Sequence, residues 1–128
     1  MPAIAGIPVT HRGITHEFTV VSGHLPPGHP ESLVDYDALA RMRGTVVLMM
    51  AVENSPEIAK ALLAGGRDAG TPVAIVCDGT MPTQRTVLAT LSTLGETVAT
   101  ERVQPPAIIV VGEVVRVAFP DAYPPAHG

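Results

Sequence analysis

Hydrophobic positions along the chain fall into two kinds of block: short unbroken apolar runs, and stretches in which apolar residues recur every three or four positions. The unbroken runs are TVVLMMAV at 45–52, TPVAIVC at 71–77 and AIIVV at 107–111. A strand covered on both faces needs no polar alternation, so each run predicts a buried β-strand. EFTVVS at 17–22 predicts a first strand, and QRTVLATL at 84–91 another. The segments between them have helical spacing. VDYDALARMRG predicts a short amphipathic helix that stops at Gly44. In NSPEIAKALLAGG, Ser55 stands where a side chain can cap a helix, Pro56 suits the first helical position, and Glu57 complements the dipole. Ile58, Ala59 and Leu62 share a face, and Gly65 and Gly66 end the helix. STLGETVAT predicts a third helix, with Leu91, Leu94 and Val98 at helical spacing, and GEVVRVA begins a terminal one. GHLPPGHPES is too rich in Pro and Gly for regular structure, and the tail FPDAYPPAHG predicts a frayed end. Strands alternating with helices, without internal repeat, predict an α/β fold. It is one layered domain: a mixed sheet of about five strands with packed helices.

Composition narrows the class. A chain of 128 residues suits one domain, and with 46% apolar but only 3% aromatic residues its core must be aliphatic. That content excludes disorder. No apolar run approaches the roughly 18 residues of a membrane span, and nothing at the start reads as a signal peptide, so the expected location is the cytoplasm. Cys77, the single cysteine, supports neither a disulfide framework nor a metal cluster. The net charge is −4 and the eight basic residues are scattered singly, which with so few aromatics argues against a nucleic-acid partner.

Ligands of open α/β sheets bind beyond the carboxyl ends of the strands. Three predicted ends carry unusual residues: Met49-Met50-Ala51, Asp78-Gly79-Thr80 and Gly112-Glu113. If all three lie on one edge, Gly79 and Gly112 allow close approach to the backbone, and Met50 offers a polarizable surface to a flat or sulfur-bearing ligand. Each also has an ordinary reading, since a methionine in a strand packs a core and Asp-Gly-Thr makes a turn. Other chemistry is thin. AGGRDAG lacks the lysine and serine of a phosphate loop. His24 and His29 have no acidic or thiol partner at metal-ligand spacing, and Ser22 and Ser55 have no base beside them in the sequence. No carboxylate pair recommends acid–base work. Arg12 and Arg85 each follow a small polar knot and read as solvated surface charges.

The segments AGIPVTHRG, VVSGH, GTVVLMMAV, TPVAIVCDGTMPTQR and IIVVGEVV, in this order, resemble the tetrapyrrole methylases over residues 3–117. GIPVTHR and DGT..TQR point to the members that act on uroporphyrinogen III. The resemblance implies an S-adenosylmethionine-dependent methyltransferase of two α/β domains, with the cofactor in the cleft between them. It implies a homodimer that methylates pyrrole-ring carbons to give precorrin-2, on the route to siroheme and cobalamin. In the family GIPVTHR follows the inter-domain linker, so this chain corresponds to the C-terminal domain. Residues 1–16 are then residual linker and lead-in, 17–119 the domain and 120–128 a tail. The family's Gly-rich cofactor loop, acid and base belong to the N-terminal domain, so no catalytic residue and no metal ligand is carried over. The chain alone is expected to be inactive.

Cofactor contacts are carried over. The family's strand-end methionine corresponds to Met50, flanked by Met49 and Ala51, and its Asn/Asp-Gly-Thr places a backbone contact at Gly79 beside Thr80. Ala51 stands where the family has glycine, and an added methyl there would narrow the cofactor site or redirect a backbone group. The substrate bears several carboxylates, and Arg12, near the hinge, is the candidate to hold them. Two alternatives stay open: a non-catalytic binding or dimerisation module that pairs with a separately encoded N-terminal domain, and a methylase domain for a later cobalamin precursor.

Overall fold

The computed structural model describes residues 3–4, 7–8, 18–25, 27–30, 34–41, 44–77, 85–103 and 106–123. Two short strands, β1 (Ala3–Ile4) and β2 (Ile7–Pro8), pair antiparallel. Then follow β3 (Phe18–Ser22), α1 (Tyr36–Arg41), β4 (Thr45–Met49), α2 (Ser55–Ala64) and β5 (Pro72–Cys77). β6 (Arg85–Thr90), α3 (Leu94–Thr100), β7 (Ala107–Val111) and α4 (Val114–Ala118) complete the described elements. Five of the strands form one mixed sheet in the order β3-β4-β7-β5-β6, as the α/β reading expects. β3 runs parallel to β4, whereas β7 is antiparallel to both its neighbours, β4 and β5, and β6 is antiparallel to β5. β3, β4 and β5 therefore point one way, and β6 and β7 the other.

The unbroken apolar runs have the predicted cause. Alternate residues of a strand face opposite sides of the sheet, and here both sides are covered. Val46, Leu48, Val73, Ile75, Ile109 and Val111 face the larger core, filled by Leu39 of α1, Ile58 and Leu62 of α2 and Leu94 of α3. Ala74 and Val110 face the other side, where Val114 and Val115 of α4 meet Tyr123. No helix among the described residues is long and apolar enough to cross a membrane.

Three local expectations change. β4 ends at Met49 rather than at 52, because Met50 turns the chain with φ 54°, a left-handed value outside strand geometry. The N-cap of α2 is Asn54, not Ser55, whose hydroxyl donates to the Val52 carbonyl at 2.9 Å. The tail does not fray over its first half. Pro120–Ala122 form a 3₁₀ turn that delivers Tyr123 into the smaller core, where its hydroxyl donates toward the carbonyls of Val73 (2.9 Å) and Ala89 (2.7 Å). Arg116 lies over the same ring, 5.9 Å from its centroid. An aromatic ring with apolar surroundings and carbonyl partners for its hydroxyl outweighs the Pro-rich composition. Residues 124–128 lie outside the described residues.

Candidate functional site

The parallel set β3, β4 and β5 brings three carboxyl ends to one edge of the sheet. Ser22 is paired with Met49, Met49 with Ile108, and Cys77 with both Ala107 and Arg85. The edge therefore carries the ends of β3, β4 and β5 and the starts of β7 and β6. Gly112-Glu113 is not on it. Because β7 runs antiparallel, its carboxyl end lies at the opposite edge, where the Gly112 N–H donates to the Pro72 carbonyl at 3.0 Å. A side chain on Gly112, at φ 152°, would also come within 3.3 Å of the Thr45 Cα. Close packing on β4, not a ligand, accounts for that glycine, and the expected three-ended site loses one of its ends.

Met49 and Met50 are not core residues. They are 42% and 64% exposed, while the preceding Val46, Val47 and Leu48 are buried. A methionine held in the left-handed region costs about 1–2 kcal/mol relative to an ordinary conformation. Strain together with an exposed apolar side chain marks Met50 as a candidate contact position. Ala51 is fully buried. Its methyl faces Gly23, where a built Cβ would fall 2.5 Å away. The methyl therefore does not narrow the open edge, contrary to expectation: the space it needs is supplied by the glycine across from it.

Gly23 is held on several sides. Its N–H donates to the Met49 carbonyl at 2.8 Å, and its carbonyl accepts from Asn54 Nδ2 at 2.8 Å. Next to it, Ser22 Oγ lies 2.9 Å from His24 Nδ1. Ser22 thus does have a base beside it, two residues on, and an exposed imidazole joins the methionine edge. Sequence reasoning weighed His24 only as a metal ligand. Among the described residues no three His, Cys, Asp or Glu side chains come together as a metal site. The signal that could have found the pair was Ser-Gly-His directly after a predicted strand.

Asp78, Gly79, Thr80 and Arg12 lie outside the described residues; Cys77, the last described residue before Asp78, is buried and free on this edge. Arg85 is exposed, and its guanidinium donates to the Glu101 carbonyl at 2.8 Å, which satisfies the end of α3. Two other features stand apart. Pro27, Gly28, Val34, Asp35, Tyr36, Asp37 and Ala61 line an open cleft of about 450 Å³. There burial raises the Tyr36 hydroxyl above the usual tyrosine range, and its oxygen has no hydrogen-bond partner among the described residues. At the opposite edge of the sheet, burial lowers Arg67, with the Glu113 charge acting the other way, and its guanidinium donates to the Gly44 carbonyl at 3.1 Å.

Residues 1–95 match the family of tetrapyrrole (corrin/porphyrin) methylases. The chain is similar to an S-adenosyl-L-methionine-dependent uroporphyrinogen III methyltransferase of Methanosarcina barkeri. The two are 41% identical over 115 residues, 90% of this chain and 45% of that protein. The uroporphyrin-III C-methyl transferase of Thermus thermophilus, in a crystal structure complexed with S-adenyl homocysteine, superposes with a TM-score of 0.74. Its identity is 40%, over 89% of this chain and 47% of that one. A cobalt precorrin-4 methyltransferase shares the fold, with a TM-score of 0.75 at 19% identity over 85% of this chain and 45% of its own. The chain thus spans about half the length of these relatives.

Proposed function

The chain belongs to the tetrapyrrole methylases, and on that premise we propose that it is the C-terminal half of a cytoplasmic, S-adenosylmethionine-dependent methyltransferase that converts uroporphyrinogen III to precorrin-2. The observation that carries the reading is the exposed Met49-Met50 pair at the carboxyl edge, with Met50 in a left-handed conformation. A relative at about this similarity is crystallised with S-adenyl homocysteine, which supports the same ligand class here.

Bound S-adenosylmethionine would supply an electrophilic methyl group to a carbon of the substrate. The chain's own task is orientation. Met50 lays a polarizable thioether against the cofactor, and Met49 extends that apolar surface. Gly79 offers a backbone group beside Thr80, and Ala51 contributes backbone only, its methyl being buried. Arg12 pairs with substrate carboxylates, and His24, tied to Ser22, adds an imidazole facing the same side. The cofactor cleft closes only against the N-terminal domain, so this chain alone transfers no methyl group. The assembled enzyme is a homodimer, and sedimentation of a strict monomer at high micromolar concentration would count against that part.

A chimera tests the whole. This chain replaces the segment it matches in the Methanosarcina barkeri protein, and methyl-labelled S-adenosylmethionine is supplied with uroporphyrinogen III. Label should enter the tetrapyrrole with the chimera and not with this chain alone. A folded chimera that binds S-adenosylhomocysteine but leaves uroporphyrinogen III unlabelled would point to the later-precursor alternative. One that binds neither ligand would sink the reading.

A further inference from the structure

We propose that Asn54 is a positioning residue that fixes the carboxyl ends of β3 and β4 to one another, so that Ser22–His24 and Met49–Met50 form a single preset surface. The proposal rests on reading that edge as the ligand side. An asparagine at a helix N-cap ordinarily turns its side-chain oxygen back to accept an N–H of the first turn. Asn54 occupies the N-cap of α2 and makes no such bond. Its amide is turned outward instead, and Nδ2 donates to the Gly23 carbonyl at 2.8 Å, 31 residues away in sequence. A carbonyl can only accept, so the amide nitrogen must be the atom that faces it.

The need for such a tie follows from the topology. β3 is an edge strand with one neighbour, and its pairing with β4 ends at Ser22 and Met49. Beyond Ser22 the chain enters a Pro- and Gly-rich loop. Gly23 is caught there at both backbone groups: its N–H on the Met49 carbonyl, its carbonyl on Asn54. Ala51 and Ile58 fill the place a side chain would take. His24, the next residue, inherits its position from this grip. The helix forgoes its side-chain cap, and the bond made in exchange joins the start of α2, five residues after Met49, to the residue that follows β3.

Asn54→Asp separates the two roles. Aspartate is a good N-cap but has no N–H to give Gly23, so the helix gains a cap while the tie is lost. In this chain the melting temperature should hold or rise, while amide hydrogen exchange at Gly23 and His24 quickens about tenfold or more. In the chimera, kcat/KM for the tetrapyrrole should fall roughly tenfold to a hundredfold, the scale of a misplaced positioning contact. Asn54→Ala, which loses cap and tie together, should melt lower yet show the same kinetic loss. Should Asp not fold, Asn54→Ser takes its place, because serine caps and is too short to reach the carbonyl. Kinetics that follow melting temperature across these variants, or unchanged Gly23 exchange in a stable Asp or Ser variant, would overturn the proposal. If the parent chimera transfers no methyl group, the proposed function fails, and the exchange rates alone decide whether Asn54 holds the edge.

Discussion

Replacing Met50 with glycine distinguishes a packing methionine from one that faces a ligand. The substitution removes the left-handed strain of φ 54°, about 1–2 kcal/mol in favour of the folded state. Against this, glycine loses about 0.5–1 kcal/mol more backbone freedom on folding. Only about a third of the side chain is buried, given its 64% exposure, so lost burial is under about 1 kcal/mol of the 1.5–3 a whole methionine contributes. The net change lies within about 1 kcal/mol of zero, or roughly 4 °C in melting temperature for a domain of this size. A core methionine cut back this far would instead cost about 2–5 kcal/mol. Ligand binding should respond oppositely. Losing the thioether contact with S-adenosylhomocysteine removes about 1–2 kcal/mol, a roughly five- to thirtyfold weaker Kd. Calorimetric titration and thermal melting of the same Met50→Gly chimera samples give both numbers. A steep loss of stability, or affinity unchanged in a well-folded variant, would refute the ligand-facing assignment.

Gly23→Ala should destabilise by about 1–3 kcal/mol, since its Cβ would fall 2.5 Å from the Ala51 Cβ. Ala51→Gly should recover much of that in the double variant, and strictly additive urea-denaturation energies would refute the contact. Burial holds the Tyr123 hydroxyl above the ordinary tyrosine range, so its contribution is full below about pH 10 and is lost as pH rises through the raised value. The melting temperature of the parent should therefore fall more steeply above pH 10 than that of Tyr123→Phe, with Tyr36, shifted the same way, leaving a residual slope in both. Gly79→Val should weaken S-adenosylhomocysteine binding at least severalfold in a folded chimera, through lost space and, if the turn needs positive φ, added strain; unchanged affinity would leave Asp-Gly-Thr as only a turn.

Much of the fold was written in the apolar runs, and the reason is physical. A strand buried on both faces, such as Pro72–Cys77, cannot tolerate polar interruption. Direction was not written. Nothing in AIIVV says which way up it pairs; its antiparallel insertion between β4 and β5 puts Gly112-Glu113 at the edge opposite Met49. The candidate site was legible in part for similar reasons. Met50 could be picked out as unusual, but no Gly or Asn in VVLMMAV announces a left-handed residue. The Ser22–His24 pair was hidden by a short spacing without a recognised motif. Ser55 and Asn54 are both good caps on paper, but the Asn54 amide donates to the distant Gly23 carbonyl and the Ser55 hydroxyl to that of Val52, so neither side chain caps α2. Tyr123 is masked in the sequence by its Pro-rich surroundings, although in a chain with so few aromatics each one is a candidate anchor.

The insertion of β7 also dictates an order of events. β4 and β5 share no ladder with each other and meet only through β7, the last of the described strands to be synthesised. Until Ala107–Val111 emerge, the described strands of this sheet form a parallel ribbon, β3 with β4, and a separate antiparallel pair, β5 with β6. Two-stranded units of this kind are marginal in water. Val46, Leu48, Val73 and Ile75 would wait with their sheet unfinished, exposed to chaperones and proteases. Closure then demands contacts across some sixty residues, from Val46 to Val111, which belongs to slow, high-contact-order folding. Ribosome-stalled chains ending just before Ala107 should remain protease-sensitive throughout, and those that include Val111 clear of the exit tunnel should become resistant in a single step.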